Sequence, residues 1–162
     1  MRMSIAIGES LPEGTFLEAG ESGPAEVSLA SLGGKVVLFA VPGAYTGVCS
    51  TQHVPSFMRV AAALREKGVE EIACVSVNDP FVMKAWGAAT GGADAGIRFL
   101  ADADGAFTRA LGLDFTNEKA GLLGRSKRYA MLVEDGVVKI LNLEASPGQC
   151  EISAGETLLS QI

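Results

Sequence analysis

The chain has 162 residues, 48 % of them hydrophobic and 20 % charged, which fits one domain with a single core and excludes a disordered, collagen-like or coiled-coil chain. Its 13 Lys plus Arg against 19 Asp plus Glu leave a net charge of −6, so no global basic field exists to hold nucleic acid or an anionic membrane surface. Three widely separated cysteines, Cys49, Cys74 and Cys150, exclude the disulfide framework of a small secreted domain.

The N-terminal stretch from Met1 to Ile7 stops at Gly8-Glu9, too short for a leader or a spanning helix, and a cytoplasmic chain is expected. Gly20 to Pro24 reads as a hairpin loop. Val36-Val37-Leu38-Phe39-Ala40-Val41, closed by Pro42-Gly43, predicts a central strand buried on both faces. Ser50 to Lys67 carries Val54, Phe57, Met58, Ala61, Ala62 and Leu64 at helical spacing, with Gly68 as a stop. Glu71 to Val77 returns as a second strand and completes a βαβ unit. Asn78-Asp79-Pro80 then offers an N-cap and first turn for a helix through Ala89. Phe99 to Ala101 is a short strand, Gly105 to Leu111 a short helix, and Asp114 to Ser126 a polar, glycine-bearing excursion. Arg128 to Glu134 and Val137 to Leu143 are strand-like runs joined by Asp135-Gly136, a strong hairpin signal. Ser153-Ala154-Gly155-Glu156 has the form of a capping box opening a last helix. The order predicts a single α/β domain over residues 1–162: a mixed sheet with helices on both faces, the arrangement of thioredoxin-like domains.

Pro42 to Cys49 lies where the first buried strand turns into a helix, the edge at which open α/β sheets bind ligands. Cys49 falls in the first helical turn, where free backbone N–H groups and the helix dipole favour a thiolate. For a thiol in general, lowering the pKa by about three units raises the thiolate fraction about thirtyfold, and the fall in intrinsic nucleophilicity takes back about the same factor. A fast-reacting cysteine must therefore place donors where charge develops in the transition state. Candidate donors are the Thr46 hydroxyl, three residues before Cys49, the backbone N–H of Cys49, and a guanidinium from elsewhere.

Pro-x-x-x-Thr-x-x-Cys, realised as Pro42, Thr46 and Cys49, resembles the active-site signature of the peroxiredoxins. His53-Val54-Pro55-Ser56-Phe57, the run from Cys74 to Trp86, and Arg125-Ser126-Lys127-Arg128-Tyr129-Ala130 narrow the resemblance to the type II, peroxiredoxin-5-like branch. The resemblance implies that Cys49 attacks the peroxide O–O bond and becomes a sulfenic acid. It implies that Thr46 hydrogen-bonds peroxide and sulfur, that Pro42 shields the thiolate, and that Arg128, rather than its neighbour Arg125, pairs with it. Tyr45 and Gly47-Val48 depart from the family's commoner Phe and Pro-Thr or Pro-Gly.

His53, the only histidine, lies four residues after Cys49 and is expected to support the site by packing or hydrogen bonding; the spacing of one His and three scattered Cys argues against a metal. Cys74 and Cys150 are both candidates to resolve the sulfenic acid, with an external thiol, glutathione and glutaredoxin or thioredoxin, as the alternative. No metal, haem or flavin is expected. Phe39, Tyr45, Phe57, Phe81 and Trp86 are candidates for an aromatic patch or a dimer face, and the resemblance favours a homodimer. The expected function is reduction of hydrogen peroxide and small alkyl hydroperoxides. The alternative is a redox-sensing or thiol-chaperone module in which Cys49 oxidation is a signal rather than turnover.

Overall fold

The computed structural model describes residues 4–162; Met1 to Met3, the start of the stretch read above as too short for a leader, lie outside the described residues. The elements in chain order are β1 (Thr15–Gly20), β2 (Gly23–Ser28), β3 (Lys35–Ala40), α1 (Val54–Glu66), β4 (Glu71–Ser76), α2 (Pro80–Thr90), β5 (Arg98–Ala101), α3 (Ala106–Leu111), β6 (Asp114–Asn117), β7 (Leu122–Ser126), β8 (Tyr129–Glu134), β9 (Val137–Leu143) and α4 (Gly155–Ser160). Seven strands form one mixed sheet in the order β2-β1-β5-β4-β3-β8-β9. β3, β4 and β5 run parallel, while β8 joins β3 antiparallel and is followed by the β9 hairpin arm. The thioredoxin-like mixed sheet expected from the element order is therefore present.

The apolar run of β3 is continuous because both of its faces are covered. Val37 and Phe39 face one core with Phe57 and Leu64 of α1, Trp86 of α2 and Leu158 of α4. Val36, Leu38 and Ala40 face a second core with Phe107 and Leu111 of α3. Helices thus lie on both faces, three on the first and one on the second. Asp135 and Gly136, with φ of 49° and 81°, adopt the paired left-handed conformation that a tight β8–β9 turn requires.

The structure corrects three local expectations. The polar excursion is a two-stranded antiparallel sheet of β6 and β7, two short strands around a 3₁₀ turn whose charge and glycine content hides their alternation. The strand after Lys127 begins at Tyr129, leaving Arg128 just outside it. The cap expected for α2 from Asn78-Asp79-Pro80 is present: Asp79 is the N-cap, its carboxylate accepting from the Val82 N–H at 2.8 Å, and Pro80 stands in the first turn. Ser153 does not cap α4, whose N-cap is Ala154 without a side-chain bond, and Glu156 pairs instead with Arg59 at 2.6 Å.

α4 docks on α1 through a close backbone approach. The Gly155 N–H donates to the Ser56 hydroxyl at 2.9 Å, and a Cβ at Gly155 would lie 2.6 Å from the Ser56 carbonyl oxygen. Gly155→Ala is expected to push α4 off α1 and lower stability by about 1–3 kcal/mol, the cost of overpacking, measured as a drop in the urea midpoint without a change in slope.

Candidate active site

The sheet topology brings four chain segments to one edge. β3 ends at Ala40, and its antiparallel partner β8 begins opposite, with Ala40 in register with Tyr129. Arg128 therefore flanks the turn that follows β3. β9 ends at Leu143 beside Tyr129, which sets Glu144 against Arg128; the Glu144 N–H donates to the Arg128 carbonyl at 3.0 Å. β4, parallel to β3, ends at Ser76 on the same edge and delivers Asn78.

Between β3 and α1 the chain passes buried Pro42 and Gly43, exposed Tyr45 and half-buried Thr46 before turning into a helix. A Cβ on Gly43 would meet the Arg125 Nη1 atom at 3.0 Å and the Thr46 Cγ2 atom at 3.3 Å, so the close approach of these two side chains favours glycine there. Asn78 ties the turn down: its Oδ1 accepts from the Ala44 N–H at 3.0 Å and from the Ser76 hydroxyl at 2.6 Å. Residues Cys49–His53 form one wide π-type turn, closed by the Val54 N–H on the Cys49 carbonyl, before regular helix begins. Such turns inside helices are frequent at functional sites. Ser50 in this turn accepts from the Trp86 Nε1–H at 2.9 Å.

Cys49 is fully buried, with its Sγ 2.7 Å from the Thr46 hydroxyl and 3.0 Å from the Arg128 Nη2 atom. The Thr46 hydroxyl also lies 2.8 Å from the Gly43 carbonyl. One proton serves two acceptors. Donated to Gly43, it leaves the oxygen free to accept from a thiol or a peroxide; donated to Cys49, it supports a thiolate.

Arg128 is 2 % exposed, and its guanidinium is fixed on three sides. Nε donates to the Pro147 carbonyl at 3.0 Å, Nη1 lies 3.0 Å from the His53 Nδ1 atom, and Nη2 faces the sulfur. The His53 Nε2 atom lies 3.0 Å from the Ser153 carbonyl, which can only accept, so Nε2 carries the proton and Nδ1 accepts from Arg128. Burial against the stacked rings of Phe39 and Phe57, together with the charge of Arg128, lowers the His53 pKa to about 3. His53 is thus a neutral acceptor with both ring nitrogens occupied. Among the described residues no three His, Cys, Asp or Glu side chains gather as a metal site.

The other expected site residues separate. Arg125 contacts the turn but not the sulfur, donating to the Pro42 carbonyl at 3.4 Å. Cys74 is fully buried in β4, paired with Phe39 of β3 and Phe99 of β5, and burial with the nearby Cys49 pushes its thiol pKa well up. Cys150 is partly exposed on the irregular segment before α4; burial again raises its pKa, against the opposing pull of the Ser153 hydroxyl and the Arg128 charge. The aromatic set also divides: Phe39, Phe57 and Trp86 belong to the core, while Tyr45 and Phe81 stand exposed. Asn78, Glu144 and Ser153 also stand at this edge, and sequence pattern alone does not mark them as site residues. The one local sign was two cap-capable residues in succession, Asn78 and Asp79, where only one can cap.

The redoxin family model matches residues 6–159. The chain is 47 % identical over 161 residues to rice (Oryza sativa subsp. japonica) peroxiredoxin-2E-2, chloroplastic, covering 96 % of this chain and 72 % of that protein. It is 44 % identical to Arabidopsis thaliana peroxiredoxin-2B, covering 98 % of each. Among solved structures it superposes on reduced Prx3 of Vibrio vulnificus in complex with H2O2, with a TM-score of 0.88, 47 % identity and coverage of 97 % and 98 %. Peroxiredoxin 5 of Alvinella pompejana gives a TM-score of 0.83 at 34 % identity, covering 96 % of each chain. The chain therefore belongs to the redoxin family, and within it to the peroxiredoxins of the type II, peroxiredoxin-5-like branch. Its activity is that of a thiol-dependent peroxidase.

The depressed pKa of His53 links stability to pH. The unfolded histidine, near 6.5, takes up a proton as pH falls, whereas the folded one stays neutral down to about 3. Stability from this group is therefore complete above pH about 7 and is lost as pH falls, by about 2 kcal/mol at pH 5. His53→Gln, which keeps one donor and one acceptor without a titrating ring, is expected to flatten this part of the stability profile between pH 7 and 5 in urea titrations.

Proposed function

We propose that Cys49 is the peroxidatic nucleophile, with Thr46 and Arg128 as the groups that orient the peroxide and stabilise the reacting atoms, and Pro42 closing the turn over the sulfur. The observation that carries this reading is the Cys49 sulfur itself, held out of solvent 2.7 Å from the Thr46 hydroxyl and 3.0 Å from the Arg128 guanidinium. The thiolate attacks one peroxide oxygen, an S–O bond forms as the O–O bond breaks, and the departing oxygen takes a proton and leaves as water or alcohol. Sulfur is oxidised to sulfenic acid and the peroxide is reduced, so no metal, haem or flavin is needed. Donors already fixed at the sulfur cost no reorganisation when charge moves onto the departing oxygen. Hydrogen peroxide and small alkyl hydroperoxides are the proposed substrates, because a fully buried sulfur admits a small oxidant with the least opening of the turn.

The proposed reductant is an external thiol, glutathione with glutaredoxin or thioredoxin. It attacks the sulfenic sulfur, water leaves, and a second thiol releases Cys49 from the mixed disulfide. Of the two internal thiols, Cys150 is the better placed to intercept the sulfenic acid, because its segment carries no sheet ladder. Cys74 would have to leave the middle of the sheet. The three free thiols suit the reducing cytoplasm proposed as the compartment. Exposed Tyr45 and Phe81, at 56 % and 62 %, support the proposed homodimer.

Cys49→Ser is expected to abolish peroxide consumption in stopped-flow assays, and near-normal turnover by that variant would end the reading. Arg128→Ala is expected to slow oxidation of Cys49 about a hundredfold or more, and Arg125→Ala far less; equal losses would mean the wrong arginine has been chosen. Mass spectrometry after one equivalent of peroxide then separates a free sulfenic acid or glutathione adduct from a bridge to Cys150. Phe81→Asp is expected to convert the dimer to monomer in sedimentation equilibrium, and an unchanged mass would remove this face from the interface.

A further inference from the structure

Glu144 follows the last residue of β9 and is 7 % exposed, yet it makes no contact with the sulfur. A buried carboxylate needs donors, and Glu144 has three on one oxygen: the Glu151 N–H at 2.8 Å, the Ser153 N–H at 2.7 Å and the Ser153 hydroxyl at 2.7 Å. Burial alone would raise its pKa; these bonds and the charge of Arg128 outweigh it, and the pKa is lowered. All three donors come from the segment that leads back to α4.

That segment supplies the acceptors that orient the two site bases. The Ser153 carbonyl fixes the His53 Nε2–H, and the Pro147 carbonyl receives the Arg128 Nε–H, both at 3.0 Å. His53 in turn presents Nδ1 to the guanidinium. A carbonyl on an irregular loop is a poor anchor unless the loop is itself tied, and among the described residues the carboxylate that ties this one is Glu144. We propose that Glu144 is a positioning residue for peroxide reduction, clasping the 147–153 segment so that its two carbonyls hold His53 and Arg128 in register with the Cys49 sulfur.

Glu144 acts here on the geometry of Arg128, so this inference rests on Arg128 being the site cation. A guanidinium displaced by about an ångström loses much of its effect on a developing charge. Glu144→Ala is expected to slow the second-order oxidation of Cys49 by hydrogen peroxide at least tenfold in folded protein. Glu144→Gln, whose amide oxygen can accept some of the three donors, should recover part of that loss. Ser153→Ala, which removes only the hydroxyl donor, should give a smaller loss and guards against failure of Glu144→Ala to fold. The decisive measurement is the double variant. In an Arg128→Ala background, Glu144→Ala or Glu144→Gln should add less than a twofold further loss, because the group it positions is gone.

The His53 side-chain ¹⁵N signals should show the Nε2–H tautomer in the wild type and lose its single, slowly exchanging form in Glu144→Ala. A folded Glu144→Ala or Glu144→Gln that oxidises within twofold of wild type overturns the proposal, as does an additive loss on top of Arg128→Ala. An Arg128→Ala variant that reacts at the wild-type rate would instead overturn the reading of the site itself, and this inference with it.

Discussion

A guanidinium that is 2 % exposed is the constraint around which this site is built. Removing a charge from water costs several kcal/mol unless each of its polar atoms finds an acceptor, and truncating a partner of such a group leaves much of the penalty behind. Arg128 meets the requirement with three different kinds of acceptor: a backbone carbonyl, an imidazole nitrogen and the Cys49 sulfur. The imidazole must be neutral to serve, because a protonated ring would put two cations 3.0 Å apart. Its burial against Phe39 and Phe57 secures that neutrality.

The same demand explains the arrangement of the sheet edge. Parallel β3 and β4 and antiparallel β8 and β9 all present ends here, so residues far apart in the chain meet without long loops. Arg128 is 79 residues from Cys49 and His53 is 100 from Ser153, yet each lies within one residue or a few of an element whose register is fixed by core packing. The rigidity of the site is therefore borrowed from the hydrophobic core, in which β3 is buried on both faces. Cys49 itself stands at the junction of a short turn and one wide helical turn, where backbone can be irregular at little cost.

Features carried by local periodicity were legible in the sequence. The double-sided burial of β3, the βαβ crossover, the Asp135-Gly136 hairpin and the three-residue step from Thr46 to Cys49 all declare themselves within a few residues. Family resemblance added Arg128, which composition and spacing would have left as a solvated charge at a strand end. The remainder depends on long-range pairing that leaves no local trace. Nothing around Glu144 distinguishes it from a surface carboxylate, and Ser153 imitates a capping residue because its real partner is nine residues upstream. Asn78 likewise does not show that it ties down the turn after β3 until β4 and β3 are side by side. The β6–β7 pair leaves almost no alternation to detect, because strands of four and five residues are too short to show a period of two.

The three cysteines show how completely surroundings decide the fate of one functional group. Cys74 is held by strand neighbours on both sides, with its thiol pKa pushed up by burial; attack would need a thiolate and a strand that moves, and it has neither. Cys150 lies outside the sheet ladder but has only weak company, its sulfur standing 4.0 Å from the Ser153 hydroxyl. Cys49 alone combines a place at the start of a helix with two short donor contacts. The net charge of −6 does not oppose this, because Arg128 acts on the sulfur from within a low-dielectric pocket where distant surface charges are screened. A small neutral peroxide needs no electrostatic steering to arrive, so an acidic surface and a cationic site are compatible in one small domain.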